Sequence, residues 1–506
     1  MTSRFLKALS PFVRIMPEVK APDREVSFRE KFVWTALVLI IFLIMSHMPL
    51  YGVDKGVGTD YLWAMRVILA STRGTLMELG IGPIVTAGLV MQLLSGSKII
   101  NVDFGDPEDR ALFTGGQKVI ALFMTAFQAI AYILGAAYGD LGPTDAVIVF
   151  IQLFMSGIIV ILMDELVQKG WGLGSGVSLF IMTNVAGQVM YNSLNFIDLE
   201  GASPAGYMGG AANEIPTNLP KGIIAALFGN LLRWFGIGTA QGNAVDLGWF
   251  LVRNGYDPSV LSLIVTFVIF FAVIWMESVR VEIPLQYAKY RGMKARYPIK
   301  LLYTSNIPVI LAQALYANIL FFGQIIAGAF NPNGTNPFLS WLGVFEREEA
   351  SGRMIATSGL AKYITPPQGV FRLLEEGMEG WVHIFIYASL MILLCWGFSK
   401  IWVDISGIAP RDVSRQLLNS GYIVPGFRTS EKVLERLLER YIPIVAGLGG
   451  FLIGILAAAA DIMGALASGT GILLMVSIIK QYYEQIAKEQ LAGMGGEGVA
   501  GLLGII

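Results

Sequence analysis

Ten stretches of the chain run for eighteen residues or more without an Asp, Glu, Lys or Arg: 32–50, 79–97, 119–139, 146–163, 170–197, 258–276, 301–345, 380–399, 441–460 and 462–479. About 20 apolar residues carry an α-helix across a bilayer, so each window predicts one spanning helix. The window 301–345 is too long for one span, and "NPNGTNPF" at 331–338 marks where its chain leaves the membrane. An eleventh run, "GIIAALFGNLL" at 222–232, is short and flanked by Lys221 and Arg233, which predicts an interfacial or partly buried helix. The longest segment without a span, 198–257, divides the ten five and five. An odd number in each half makes the halves run through the membrane in opposite directions, as in inverted-repeat transport folds with a path between the halves. The organisation expected is an N-terminal half (1–195), a connecting region (196–257), a C-terminal half (258–490) and a glycine-rich tail (491–506).

The second window opens with breakers, "GIGPIVTAG", where Gly80 and Gly82 precede Pro83. A break is tolerated in lipid only where the freed backbone groups face protein or a water-filled cavity. A helix starting at about Pro83, where the missing N–H costs nothing, makes the preceding piece separate. That piece, Asp60 to Gly74, reads as a short amphipathic helix whose Arg66 and Arg73 keep it from spanning. On the break alone it is equally a fixed re-entrant cap. A comparable break, "SNIPVILAQAL" at 305–315, opens the seventh window, the second of its half.

Charge then orients the chain. With the N-terminus cytoplasmic, 26 of the 36 Lys and Arg fall on the cytoplasmic side, as the positive-inside rule requires. Two long basic projections stand out there, 277–300 and 400–440. Phe5, Leu9, Phe12 and Met16 recur at helical spacing, so the first 20 residues read as an in-plane amphipathic helix. They lack the apolar core and cleavage site of a signal peptide, and no removal is expected. The whole chain is 55% hydrophobic and 14% charged with net charge −1, against roughly 25% charged in soluble domains. No bulk field favours DNA.

Enzyme chemistry finds little purchase. One cysteine, Cys395, and two histidines, His47 and His383, make neither a disulfide nor a metal cluster. "GLGSG" at 172–176 is not a nucleophile elbow, and no P-loop is present. Neither cofactor nor catalytic residue is expected, so energy must come from a partner. A secondary transporter shares the inverted repeats and broken helices but places ionisable groups inside the membrane; here Glu78, Asp164, Glu165 and Asp461 sit only at the window edges.

Several long motifs together resemble one family: "RVILASTRGTLMELGIGPIVTAGLVMQLLSGSKII", "DELVQKGWGLGSGVSLFI", "YPIKLLYTSNIPVILAQAL", "RYIPIVAGLGG" and "GALASGTGILLMVSII". They are similar to SecY, the alpha subunit of the Sec protein-conducting channel, in its archaeal and eukaryotic branch. The likeness runs from about Phe5 to Gln490 and leaves out 196–257 and the tail. The resemblance implies an all-α membrane bundle of ten helices in two inverted halves around a pore that passes unfolded polypeptide and releases apolar helices sideways. It places a plug at 61–73, including Tyr61, Trp63, Met65, Ile68, Leu69 and Arg73, with Gly74 and Gly80 as its joints.

It also implies an apolar ring at the narrowest point: Ile81, Val85, Val177, Ile181, Ile310 and Leu474. Branched aliphatics dewet a constriction and block ions while making no strong bond to a passing chain. Ile81 with Val85, and Val177 with Ile181, are four apart and share a helix face, although such pairs are more often packing than pore. Val177 is a methylene smaller than the isoleucine of close relatives. The implied lateral gate carries Thr86, Gln128 and Asn318, each worth roughly 0.6–2 kcal/mol as an interhelical contact or serving as ordinary polar glue. Implied partners are the gamma (SecE) and beta subunits, the ribosome, the signal-recognition-particle receptor, and signal peptides and nascent chains.

For the ribosome, the first projection alternates Val281, Ile283 and Leu285 like a strand, turns near Arg291 and Gly292, and offers Lys289, Arg291, Lys294 and Arg296 among tyrosines. The second offers Arg411, Arg415, Arg428 and Lys432. Basic plus aromatic residues suit RNA phosphates and bases; positive-inside anchoring explains them as well. The wording "EKVLERLLERYIP" and "RVEIPL" inclines to an archaeal cell membrane, with the endoplasmic reticulum as the alternative.

Overall fold

The computed structural model describes residues 4–53, 60, 65–97, 99–100, 102, 107–135, 137–139, 141–196, 220–234, 258–287, 294–330, 336–347, 354–367, 377–424 and 430–493. In chain order the helices and strands are α1 (Arg4–Ile15), α2 (Phe28–His47), α3 (Gly82–Gly96), α4 (Pro107–Leu134), α5 (Pro143–Leu166), α6 (Gly176–Leu194), α7 (Ile223–Trp234), α8 (Val260–Ser278), β1 (Arg280–Tyr287) and β2 (Lys294–Lys300). There follow α9 (Ile307–Phe330), α10 (Pro337–Leu342), β3 (Val344–Arg347), β4 (Met354–Ser358), α11 (Leu360–Ile364), α12 (Met378–Ile405), α13 (Pro410–Asn419), β5 (Tyr422–Ile423), α14 (Glu431–Met463) and α15 (Gly469–Gly493).

Each of the ten charge-free windows holds a helix, α2 to α6, then α8, α9, α12, α14 and α15, and the window 301–345 holds the short α10 as well. Six of them, α4, α5, α8, α9, α12 and α14, are long and apolar enough to cross a membrane by length and composition. The other four depart for local reasons. With 15 residues, α3 is about 22 Å long at 1.5 Å per residue, short of a hydrocarbon core of about 30 Å, because the break at Pro83 starts it late. α2 and α15 carry charges at one end, and α6 is interrupted by Thr183, Asn184, Gln188 and Asn192. The isolated run at 222–232 forms α7, which seats Ile223 and Ala226 against Leu466.

The two broken windows repeat one backbone geometry. Gly80 and Ser305, each three residues before a proline (Pro83, Pro308), take positive φ of 56° and 54°. Gly80 N–H donates to the Met77 carbonyl at 3.1 Å and Ser305 N–H to the Leu302 carbonyl at 3.0 Å, then Val85 and Ile310 open their helices on the carbonyls of Ile81 and Asn306. That similarity pairs the second window with the seventh.

One apolar cluster threads the membrane helices. Within it α14 lies close along α12, because a Cβ at Gly450 would come within 2.5 Å of Ser399 and one at Gly454 within 2.9 Å of Ile392, the small-residue contact of membrane helix pairs. A second cluster lies at the two basic projections, where Ile283, Leu285 and Ile299 meet Val413, Leu417, Leu434 and Leu438.

The two basic projections are therefore one body and not two. β2, β1 and β5 form a single sheet, with Gln286 opposite Ile423 and Tyr287 opposite Tyr422. Pro284, which cannot donate to a ladder, sits where the β5 side of β1 is unpaired. Burial in this small core pushes the Tyr297 and Tyr303 phenols above their ordinary pKa, the Tyr297 ring adding to the shift of Tyr303.

The segment after α1 is fastened as well. Lys169 bonds Glu18 and, at 2.8 Å, Glu165, which Lys118 also reaches at 2.5 Å. Trp171 Nε1–H donates to the Lys20 carbonyl at 2.8 Å. The Lys169 hydrogen bond holds the Glu18 carboxyl below its usual value.

Candidate functional site

Of the six ring positions, Ile81, Val85, Ile181 and Leu474 are buried in the membrane cluster, while Val177 and Ile310 pack against it partly buried. They come from the starts of four helices: Ile81 is the residue before α3, Val177 lies in the first turn of α6, Ile310 in that of α9, and Leu474 one turn into α15. Helices that begin inside the protein leave their first amides without intrahelical partners, so each start needs a neighbour. At α3 the neighbour is the plug.

The plug segment is held by its backbone. Ile81 N–H donates to the Leu69 carbonyl at 2.8 Å, and Asn184 Nδ2 of α6 donates to the carbonyls of Val67 at 2.9 Å and Arg66 at 3.2 Å. Met65, Ile68 and Leu69 are buried in the membrane cluster; Tyr61 and Trp63 lie outside the described residues. Residues 65–70 form consecutive turns and not the amphipathic helix that the sequence predicts. Burial on every side removes the polar face such a helix needs. Gly80 is constrained twice, by its φ of 56° and by the Leu69 carbonyl, which would lie 2.2 Å from a Cβ. Gly74, also at positive φ, faces open space.

Arg66 is the departure with the largest consequence. It does not face water but forms a buried network. Its guanidinium donates to Asp60 at 2.7–3.1 Å, to Ser71 Oγ at 2.8 Å and to Glu78 Oε1 at 2.6 Å. Glu78, its side chain 1% exposed, also accepts from the Gly74 amide. A single arginine thus ties Asp60 to Ser71 and Glu78, and through Glu78 to the Gly74 amide. Arg73 is half-buried nearby.

At the seam between α3, α4 and α9, Asn318 Nδ2 donates to Thr86 Oγ1 at 2.9 Å and to the Ala314 carbonyl at 2.7 Å. Gln128 shares a cavity with them, of about 10 Å³, walled also by Leu69 of the plug and by Tyr132 and Phe321; that is room for about one water. Among the described residues no hydrogen bond joins Gln128 to Thr86 or Asn318, so two of the three implied gate residues are bonded and the third only adjoins. Aromatic pairs extend the seam: Tyr132 stacks on Phe321 at 5.3 Å and Phe127 meets Phe322 at 5.8 Å.

At the three-stranded sheet, Arg296 pairs with Glu282 at 2.7 Å and Arg415 with Glu431 at 2.8 Å, all four side chains exposed. Lys432 is exposed on α14. Lys289, Arg291 and Arg428 fall outside the described residues, as does the side chain of Lys294. Among the described residues no group of three His, Cys, Asp or Glu side chains could hold a metal ion.

The SecY family model matches residues 75–483. The chain belongs to the SecY family. The model of the plug domain of Sec61p matches residues 40–74, directly before it. Among solved structures, a protein-conducting channel is 34% identical with a TM-score of 0.76, over 96% of this chain and 98% of its own. A SecY translocation channel whose plug domain stabilises the closed state and maintains a membrane seal is 34% identical, TM-score 0.74, over 96% and 97%. Sec61 in the canine ribosome-channel complex from the endoplasmic reticulum is 33% identical, TM-score 0.73, over 96% and 97%. This SecY-family chain is a multi-pass membrane protein and a protein-conducting channel, not an enzyme.

What escapes sequence reading is the buried polar chemistry. Glu78, Asp164, Glu165 and Asp461, which the windows place at their edges, are all buried, 8% exposed or less. The available signal was their position, since each acid flanks a helix break in an otherwise apolar tract.

Proposed function

We propose that unfolded polypeptide passes through this chain along an axis gasketed by Ile81, Val85, Val177, Ile181, Ile310 and Leu474. In this reading residues 61–73 plug the resting pore, swinging on Gly74 and Gly80, and apolar segments leave through the seam of Thr86, Gln128 and Asn318. One observation supports it above the others: the Ile81 amide is bonded to the Leu69 carbonyl, so a ring residue and the plug hold each other. Neither can be displaced without the other noticing. The Thr86–Asn318 pair, worth roughly 0.6–2 kcal/mol, resists parting yet yields to a signal helix burying its apolar surface in lipid.

The experiment is crosslinking. Photoreactive residues placed at positions 81, 181 and 474 are expected to trap one stalled secretory chain each, while one on the lipid-facing side of α8, at Phe271, traps none. Equal capture at all four overturns the pore axis.

The cytoplasmic sheet is proposed to receive the ribosome, as the canine relative's complex is described, with gamma (SecE) and beta subunits, the signal-recognition-particle receptor, and signal peptides and nascent chains as further partners. Arg291→Glu with Arg428→Glu is expected to weaken ribosome association about tenfold at 0.15 M salt, a loss that shrinks as ionic strength rises because fewer phosphate contacts release fewer counterions and flatten the salt dependence. Wild-type affinity in a co-sedimentation titration leaves both as topology determinants. An archaeal cell membrane with both termini cytoplasmic is the location proposed, the endoplasmic reticulum being the alternative.

A further inference from the structure

Two aspartates in corresponding helices do the same thing. Asp164 lies near the end of α5, and its Oδ1 accepts from the Val177 amide of α6 at 3.0 Å, with the Gly176 amide also bonded to the carboxylate. Asp461 lies near the end of α14, and its Oδ1 accepts from the Thr470 amide of α15 at 2.7 Å, with the Gly469 amide beside it. The matching continues downstream: Ile181 is four residues beyond Val177, as Leu474 is beyond Thr470. Both helix starts are also jammed against the acid's own backbone. A Cβ at Gly176 would sit 2.6 Å from Asp164 Cα, and one at Gly469 would sit 2.4 Å from Asp461 N.

We propose that Asp164 and Asp461 are positioning residues for the apolar ring, each fixing the height and rotation of the helix that presents its aliphatics. The proposal rests on the gasket reading above. An ordinary N-cap comes from the residue before the helix and moves with it. Here the acceptor belongs to the preceding helix, so the bond locks one helix against another.

A buried carboxylate in a membrane protein is expensive, and among the described residues neither acid has a cation within ion-pair distance. What stabilises each is the ring of donors and the positive end of the helix it faces. Gln168 donates to Asp164 at 2.7 Å. Tyr387 of α12 donates to Asp461 at 2.7 Å, the Thr470 hydroxyl bonds it too, and Gln313 of α9 reaches that hydroxyl at 3.3 Å. The second site thereby gathers α9, α12, α14 and α15 around the start of the Leu474 helix.

The test compares Asp164→Ala and Asp461→Ala with the Asp→Asn variants, which keep the Oδ1 acceptor, in the channel complex purified from its own membranes. Resting ion conductance per channel in planar bilayers is expected to rise about three- to tenfold in the alanine variants, the scale of a lost cap, and to stay nearer wild type in the asparagine variants. Leu474→Gly is the control on the ring. Alanine variants that melt earlier yet remain as tight as wild type, beside a leaking Leu474→Gly channel, overturn the positioning role and leave the gasket standing. A tight Leu474→Gly channel rejects the gasket and this proposal with it. Asp164→Ala, which loses fewer bonds, keeps the test decisive should Asp461→Ala not accumulate.

Discussion

Replacing Arg66 with Met unseats the plug. The variant keeps most of the side chain's length but leaves Asp60 and Glu78 as buried carboxylates with no cation between them, and breaking a buried pair in this way costs about 3–5 kcal/mol. Because Arg66 also holds Ser71, and Glu78 holds the Gly74 amide, the loss falls on the connection between residues 60–71 and the Gly74 joint. The expected result is a resting conductance at least tenfold above wild type and a lower melting temperature. Adding Asp60→Asn and Glu78→Gln in the same chain removes the orphaned charges and is expected to recover more than half of the melting loss. The recovery is non-additive because the three groups form one network. If Arg66→Met alone matches wild type in both measurements, the network does not hold the plug.

Glycine at Ile81, Ile181 and Leu474 together opens the second large effect. All three side chains are fully buried, so in the proposed gasket truncation removes both the material of the constriction and its dryness. A narrow apolar ring excludes ions by refusing water, and each missing aliphatic leaves a void that water and then ions enter. The conductance of the resting channel is expected to rise about ten- to a hundredfold, and the Val85→Gly and Val177→Gly pair to leak less because each valine removes less volume. Large-to-small changes at buried aliphatics also cost about 2–5 kcal/mol apiece, so the comparison is made on channels that still purify as one species. Unchanged conductance in such channels removes these residues from the seal.

The reach of the sequence is clearest where chemistry is local. Lipid demands a satisfied backbone, so apolar windows become helices, and all ten windows hold one. Proline and glycine punctuate on the spot: the break before Pro83 and its counterpart before Pro308 were both legible and share a backbone turn. Alternation of apolar residues disclosed the strand at 280–287, whose Ile283 and Leu285 turn inward. The long motifs disclosed the family.

Pairings between distant residues were a different matter. Nothing in the spacing of Arg66 announces that it will meet Glu78 in place of solvent, because a lone arginine in a short segment is more often exposed. The two basic loops, more than a hundred residues apart, gave no sign that they share a sheet, since β5 contributes only Tyr422 and Ile423. Gln128, which the motif groups with Thr86 and Asn318, stands on their cavity without bonding either.

The sequence by itself thus determined which segments become helices, where two of them break, and which family the chain resembles, because those features depend on transfer free energies and backbone sterics that neighbouring residues settle among themselves. Only the tertiary structure decided which buried acid answers which amide or guanidinium, that Arg66 is enclosed, and that two basic loops are one surface. Those outcomes depend on a polar group finding its partner once water is gone, and the partner is chosen by how segments apart in the chain come to lie side by side.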